Sequence, residues 1–174
     1  MSESADLDFA EFYEEWFDRV YNYARHRTGS SVRADEIVAD VFTRALRSWD
    51  KFDAAKGDRK TWLFGIAFRA VADHFRSETR RAWSPLDLIA NMKEKEPEPA
   101  QQLETSQAQD QLTAIIEALG DLPKQIISLK FFGGLTNRAI AGLLGLTESN
   151  VAVILFRSVR KMKTQFSNVE ADHG

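Results

Sequence analysis

The 174-residue chain contains no cysteine, which excludes a disulfide scaffold, a thiolate metal site and a cysteine nucleophile. Its three histidines, His26, His74 and His173, are too widely spaced for two of them to face one metal from adjacent positions on a helix. No run approaches the roughly twenty consecutive apolar residues of a membrane-spanning helix. The opening Met1-Ser2-Glu3-Ser4-Ala5-Asp6 is polar and acidic where a secretory leader is basic and then apolar. These absences point to a cytoplasmic protein without direct membrane insertion. A glycine-rich phosphate loop is also missing, as is a nucleophile with an adjacent base, so no catalytic residue, metal, cofactor or small-molecule substrate is expected.

An excess of positive charge is lacking too: the formal net charge is −3. That total argues against a nucleic-acid partner until its distribution is examined. Residues 59–82 hold six lysines and arginines against two carboxylates, and residues 123–174 hold seven against three, whereas residues 83–122 hold two against eight. A polyanion would be gripped at the two basic blocks and repelled between them, because such binding is driven by local phosphate neutralisation.

Apolar periodicity is what the chain does have. Phe9, Phe12, Tyr13, Trp16, Phe17, Val20 and Ala24 step along one face of a first helix, with Asp6 or Asp8 placed to cap its start. It stops near Thr28-Gly29-Ser30. A second helix is expected from about Arg33 to Trp49, burying Ala34, Ile37, Val38, Val41, Phe42, Ala45 and Leu46 and presenting Asp35, Glu36 and Asp40 on its other side. Residues 50–58 lack periodicity and form a loop with one aromatic, Phe52. A third helix then places Trp62, Leu63, Ile66, Ala67, Ala70, Val71 and Phe75 inward, with Phe68, Arg69, Ala72 and Arg76 opposite and Arg80 and Arg81 near its end. Cations towards a helix C-terminus suit the helix dipole; interleaved with aromatics they also suit unpaired bases beside a phosphate backbone.

Residues 84–110 break the pattern. Met92 to Gln102 is polar, charged and punctuated by Pro97 and Pro99, which describes a flexible acidic linker, with Leu86, Leu88 and Ile89 as a short apolar patch able to dock on a domain. Leu112, Ile115, Ile116 and Leu119 start a second helical unit, Pro123 opens its next helix, and Gly133-Gly134 closes that one. The most specific local pattern follows. Thr136 caps a short helix, Gly145 supplies a left-handed turn, Leu146 plugs the angle and Thr147 caps the next helix, the grammar of a helix-turn-helix. Beyond Thr147, Val151, Leu155, Ser158, Val159 and Met162 are expected inward, and Ser149, Asn150, Val153, Phe156, Arg157 and Arg160 outward, where such a helix meets the major groove. A hairpin that only packs would share part of this pattern. The fold expected is all-α: two small helical domains, residues 1–83 and 111–167, joined by the linker 84–110 and followed by a disordered tail 168–174.

In this order the residues resemble the extracytoplasmic-function group of bacterial sigma factors, in the sigma-70 family. The resemblance rests on Ala34-Asp35-Glu36-Ile37-Val38-Ala39-Asp40-Val41-Phe42 through Trp49-Asp50-Lys51-Phe52-Asp53. It continues in Trp62-Leu63-Phe64-Gly65-Ile66-Ala67 through Asp73-His74-Phe75-Arg76, then Leu119-Gly120-Asp121-Leu122-Pro123 and Ile140-Ala141-Gly142-Leu143-Leu144-Gly145-Leu146-Thr147. It implies a promoter-specificity subunit that works with core RNA polymerase and is controlled by an anti-sigma factor. Asp35, Glu36 and Asp40 match polymerase-binding positions. Phe52, Lys56, Arg69, His74, Arg76 and Arg80 fall where the family contacts unpaired minus-ten DNA, and Ser149, Asn150, Val153, Phe156, Arg157 and Arg160 where it reads the minus-thirty-five duplex. Arg33 stands where the family often has Asp, and Arg69 where it usually has Asn. Ala152, Val153 and Ile154 replace commonly polar or basic residues, which shifts base reading towards thymine-methyl contacts and the arginines. A stand-alone helix-turn-helix regulator is the rival, and it would need a dimerisation surface.

Overall fold

A computed structural model describes residues 3–82 and 107–172. Residues 83–106, which include most of the linker and its apolar patch, lie outside the described residues. Among the described residues, seven helices make up the two units and no strand is present. In chain order they are α1 (Glu3–Thr28), α2 (Ser31–Arg47), α3 (Arg59–Ala82), α4 (Gln107–Glu117), α5 (Asp121–Phe131), α6 (Asn137–Leu144) and α7 (Glu148–Asp172). Helix α7 therefore runs into the segment 168–174, since neither glycine nor proline interrupts it.

Helices α1, α2 and α3 form a bundle around Val20, Ala24, Ile37, Val41, Leu63, Ala67 and Ala70. Ser30 caps α2 by accepting the Arg33 N–H at 3.3 Å. Helix α1 starts at Glu3, ahead of the expected caps Asp6 and Asp8. Helix α2 gives way at Arg47 to a short 3-10 turn, Trp49–Lys51, that buries Trp49. Leu46 and Phe75, expected inward, are exposed: Leu46 sits at the end of α2, and the Phe75 ring is met from α1 by the Arg27 guanidinium, 5.9 Å from its centroid.

The third helix is buried more completely than one amphipathic stripe provides: Leu63, Phe64, Gly65, Ile66 and Ala67 are consecutive and all buried. The second unit covers the remaining side. Leu143 of α6 lies against Gly65, and Gly133 meets the Phe64 ring so closely that a Cβ there would sit 2.6 Å from the Leu129 carbonyl oxygen and 3.1 Å from Phe64. Gln125 of α5 donates a buried hydrogen bond to the Tyr23 hydroxyl at 2.6 Å, and burial pushes that phenol up to about 12. His26 stacks on Phe132 with ring centroids 4.2 Å apart; burial, with Arg25 and Lys124 nearby, lowers its pKa to about 4. Lys60 donates to the Gly134 carbonyl at 2.9 Å. The two helical units thus share one continuous core.

Candidate nucleic-acid interface

The helix-turn-helix forms from the residues that encode it. The Thr136 hydroxyl accepts the Ala139 N–H at 3.1 Å, Gly145 takes the left-handed conformation at φ 68°, and the Leu146 N–H returns to the Ala141 carbonyl at 3.0 Å. Thr147 then caps α7 by accepting the Asn150 N–H at 3.1 Å. The chain bends by 108° between α6 and α7. Ser149, Asn150, Val153, Phe156, Arg157 and Arg160 are all exposed. At 3.6 residues per turn they span an arc of about 120°, opposite the buried Val151, Leu155 and Ser158. Val159 is a correction: it is 43% exposed and lies between the two arcs. With Phe131, Leu155 and Phe156 it lines an open apolar groove of about 510 Å³ flanked by Lys130, Arg160 and Lys163.

In the first unit, Asp35 and Glu36 are exposed on α2. Asp40 is engaged. It binds Arg44 at 2.7 Å, Arg44 binds Asp73 of α3 at 2.9 Å, and Asp73 binds Arg76 at 2.6 Å, so four charges alternate in sign across two helices. Hydrogen bonds from Arg44 to Asp40 and Asp73 raise its pKa further. Arg33 bridges to Glu78 at 2.7 Å and so fastens the start of α2 to the later part of α3.

The loop after α2 folds over the beginning of α3. A second 3-10 turn, Ala54–Lys56, is capped by Asp53, whose carboxylate accepts the Ala55 N–H at 3.0 Å. Asp58 accepts both the Thr61 N–H at 2.7 Å and its hydroxyl at 3.1 Å, and the backbone bond chiefly lowers its pKa. Between loop and helix lies a cleft of about 270 Å³ whose lining includes Lys51, Phe52, Lys56, Trp62, Arg69 and, from α6, Leu143.

Of the six residues expected at unpaired DNA, Phe52, Lys56 and Arg69 therefore converge on one cleft. His74, Arg76 and Arg80 lie farther along α3, the last about 16 Å beyond Arg69 at the helical rise. His74 is half-buried with Nε2 3.5 Å from Glu78, and Arg76 is paired to Asp73. Arg80 is exposed. Lys51, Trp62 and Leu143 also line the cleft, though none was singled out from the sequence as a site residue. Nor was Arg59, whose guanidinium lies 4.3 Å from the Trp49 ring centroid and 5.5 Å from that of Phe52. Among the described residues no group of three His, Cys, Asp or Glu side chains could hold a metal, and no single helix is long and apolar enough to cross a membrane.

Two family models match the sequence: sigma-70 region 2 over residues 12–81, and sigma-70 region 4 over residues 109–162. The chain belongs to the sigma-70 family. Similar proteins place it in the extracytoplasmic-function group. The ECF RNA polymerase sigma factor BldN of Streptomyces coelicolor is 28% identical over 88% of this chain. The ECF RNA polymerase sigma factor SigM of Bacillus subtilis is 24% identical over 90%. The match spans 58% of BldN and 94% of SigM. Among solved structures, the sigma factor RpoE in complex with the anti-sigma factor NepR from Bartonella quintana superposes with a TM-score of 0.67 at 18% identity, over 92% of this chain and 97% of that one. CnrH in complex with the cytosolic domain of CnrY gives 0.64 at 18% identity, over 92% and 88%. At that identity the superpositions establish the shared helical fold.

Proposed function

We propose that this chain is a sigma factor that seats on core RNA polymerase, captures unpaired minus-ten bases at the first unit and reads the minus-thirty-five duplex with α7. The observation that carries this reading is the pairing of two different DNA-facing devices in one sigma-70 chain. One is an aromatic and cationic cleft suited to stacking bases. The other is an exposed helix-turn-helix face suited to a major groove. Strand opening then needs no fuel, since unstacking costs a few kcal/mol and the pocket recovers it. The role is one of binding, with no catalytic residue assigned.

Exposed Asp35 and Glu36 are the carboxylates free to meet a basic polymerase surface, with Asp40 contributing through the network it shares with Arg44. Opposite charges of this kind speed and orient docking more than they tighten it. An anti-sigma protein is the expected regulator, in keeping with the complex in which RpoE was solved. Run-off transcription by core polymerase with and without the chain tests the proposal. Promoter-dependent product that requires the chain supports it, and product independent of the chain rejects it. A tight symmetric footprint by the isolated protein would favour a stand-alone regulator instead.

A further inference from the structure

The cleft between the loop and α3 has only one aromatic on its loop side, Phe52, and the loop itself contributes just two single-turn elements. A ring on so short a support stacks a base well only if something holds it still. Trp62 touches it from one side, with centroids 5.4 Å apart. Arg59 lies against it from another. That guanidinium also covers Trp49, itself fixed in the core by Phe9 and Phe12 at 5.0 Å each. The far side of Arg59 is tied to Asp8 of α1 at 3.0 Å. The side chain thus spans from α1 and a buried tryptophan to the one loop aromatic in the cleft, and it is not among the residues lining that cleft.

We infer that Arg59 is a positioning residue for base capture: it transmits the fixed position of Trp49 to Phe52 and so preorganises the stacking wall, without touching DNA. This assignment rests on the proposed reading of the cleft. Holding a ring in its bound pose raises affinity by removing an ordering cost. A partly exposed cation–π contact is worth roughly 0.5–1 kcal/mol, or about two- to fivefold in binding.

The test uses holoenzyme assembled from core polymerase and the full chain. Its probe is a labelled non-template single strand from a template that yields run-off product, titrated over a series of salt concentrations. Arg59→Ala is expected to weaken binding about two- to fivefold with the salt slope unchanged and affinity for core unchanged. Arg59→Lys should restore little, because an ammonium lacks the flat face that stacks on Trp49. Wild-type affinity in Arg59→Ala overturns the inference. So does a slope smaller by about 0.7, which marks a direct phosphate contact, or a parallel loss of core binding, which marks a general structural defect. Phe52→Ala separates the two levels. If it too binds the strand normally, the reading of the cleft fails; if it weakens binding while Arg59→Ala does not, only the role of Arg59 fails.

Discussion

Tyr23 and Gln125 are 102 residues apart in the chain, and their 2.6 Å hydrogen bond lies within the core shared by the two helical units. Tyr23 is fully buried and Gln125 is 6% exposed, so water cannot replace either partner. Tyr23→Phe strands the Gln125 amide, and Gln125→Leu strands the tyrosine hydroxyl. Each should lower stability by roughly 1–3 kcal/mol, the cost of leaving a buried polar group unpaired, whereas the double substitution removes both groups and should be close to neutral. For a chain of this length, about 2–4 °C in Tm accompanies each kcal/mol. Single variants should therefore melt roughly 2–12 °C lower and the double variant near wild type. Urea unfolding followed by near-ultraviolet circular dichroism gives the coupling energy directly. Additive losses, or single variants within about 0.5 kcal/mol of wild type, would refute a buried joint in solution. An independent check is the phenol, pushed up to about 12 by burial. Its contribution to stability is complete below pH ~10, the ordinary tyrosine value, and is lost as pH rises towards 12.

Three further outcomes are expected. His26, lowered to about 4 by burial against Phe132, takes up a proton in the unfolded chain before it does in the folded one. Stability should therefore fall as pH drops from ~6.5 to ~4, and His26→Phe should flatten that part of the acid limb in chemical unfolding. Gly145→Val forces a β-branched residue into the left-handed turn at φ 68° and should cost at least about 1–2 kcal/mol, read by thermal melting. Arg157→Ala should weaken minus-thirty-five duplex binding by roughly 1–3 kcal/mol if the arginine reads a base; unchanged promoter affinity would remove it from the site.

Local features were legible in the sequence because their causes are local. The stripe through Ile37, Val38, Val41 and Ala45, the caps Thr136 and Thr147 and the turn at Gly145 each depend on residues within a turn or two. The outward arc of α7 followed from the same periodicity, and all six of its expected residues are exposed. Contacts between the units were not legible. Phe64 and Gly65 fall outside the α3 stripe, and nothing near them in sequence announces Gly133 or Leu143. Val159 misled for a related reason, since periodicity assigns a face but not how far the neighbouring helix extends. In the cleft, Phe52, Lys56 and Arg69 were anticipated by the resemblance. Arg59 was overlooked because the ring it covers, Trp49, lies across a loop whose path has no period to follow.

The alternation Asp40, Arg44, Asp73, Arg76 joins the side of α2 proposed for polymerase to the arginine proposed for DNA. Arg44 divides itself between two carboxylates. A foreign cation drawing Asp40 away would leave Arg44 wholly to Asp73, and Arg76 would then lose part of its hold and turn towards any phosphate within reach. If the proposed contacts hold, strand and enzyme would draw on one balance of four side chains, weighted at either end by whatever docks there.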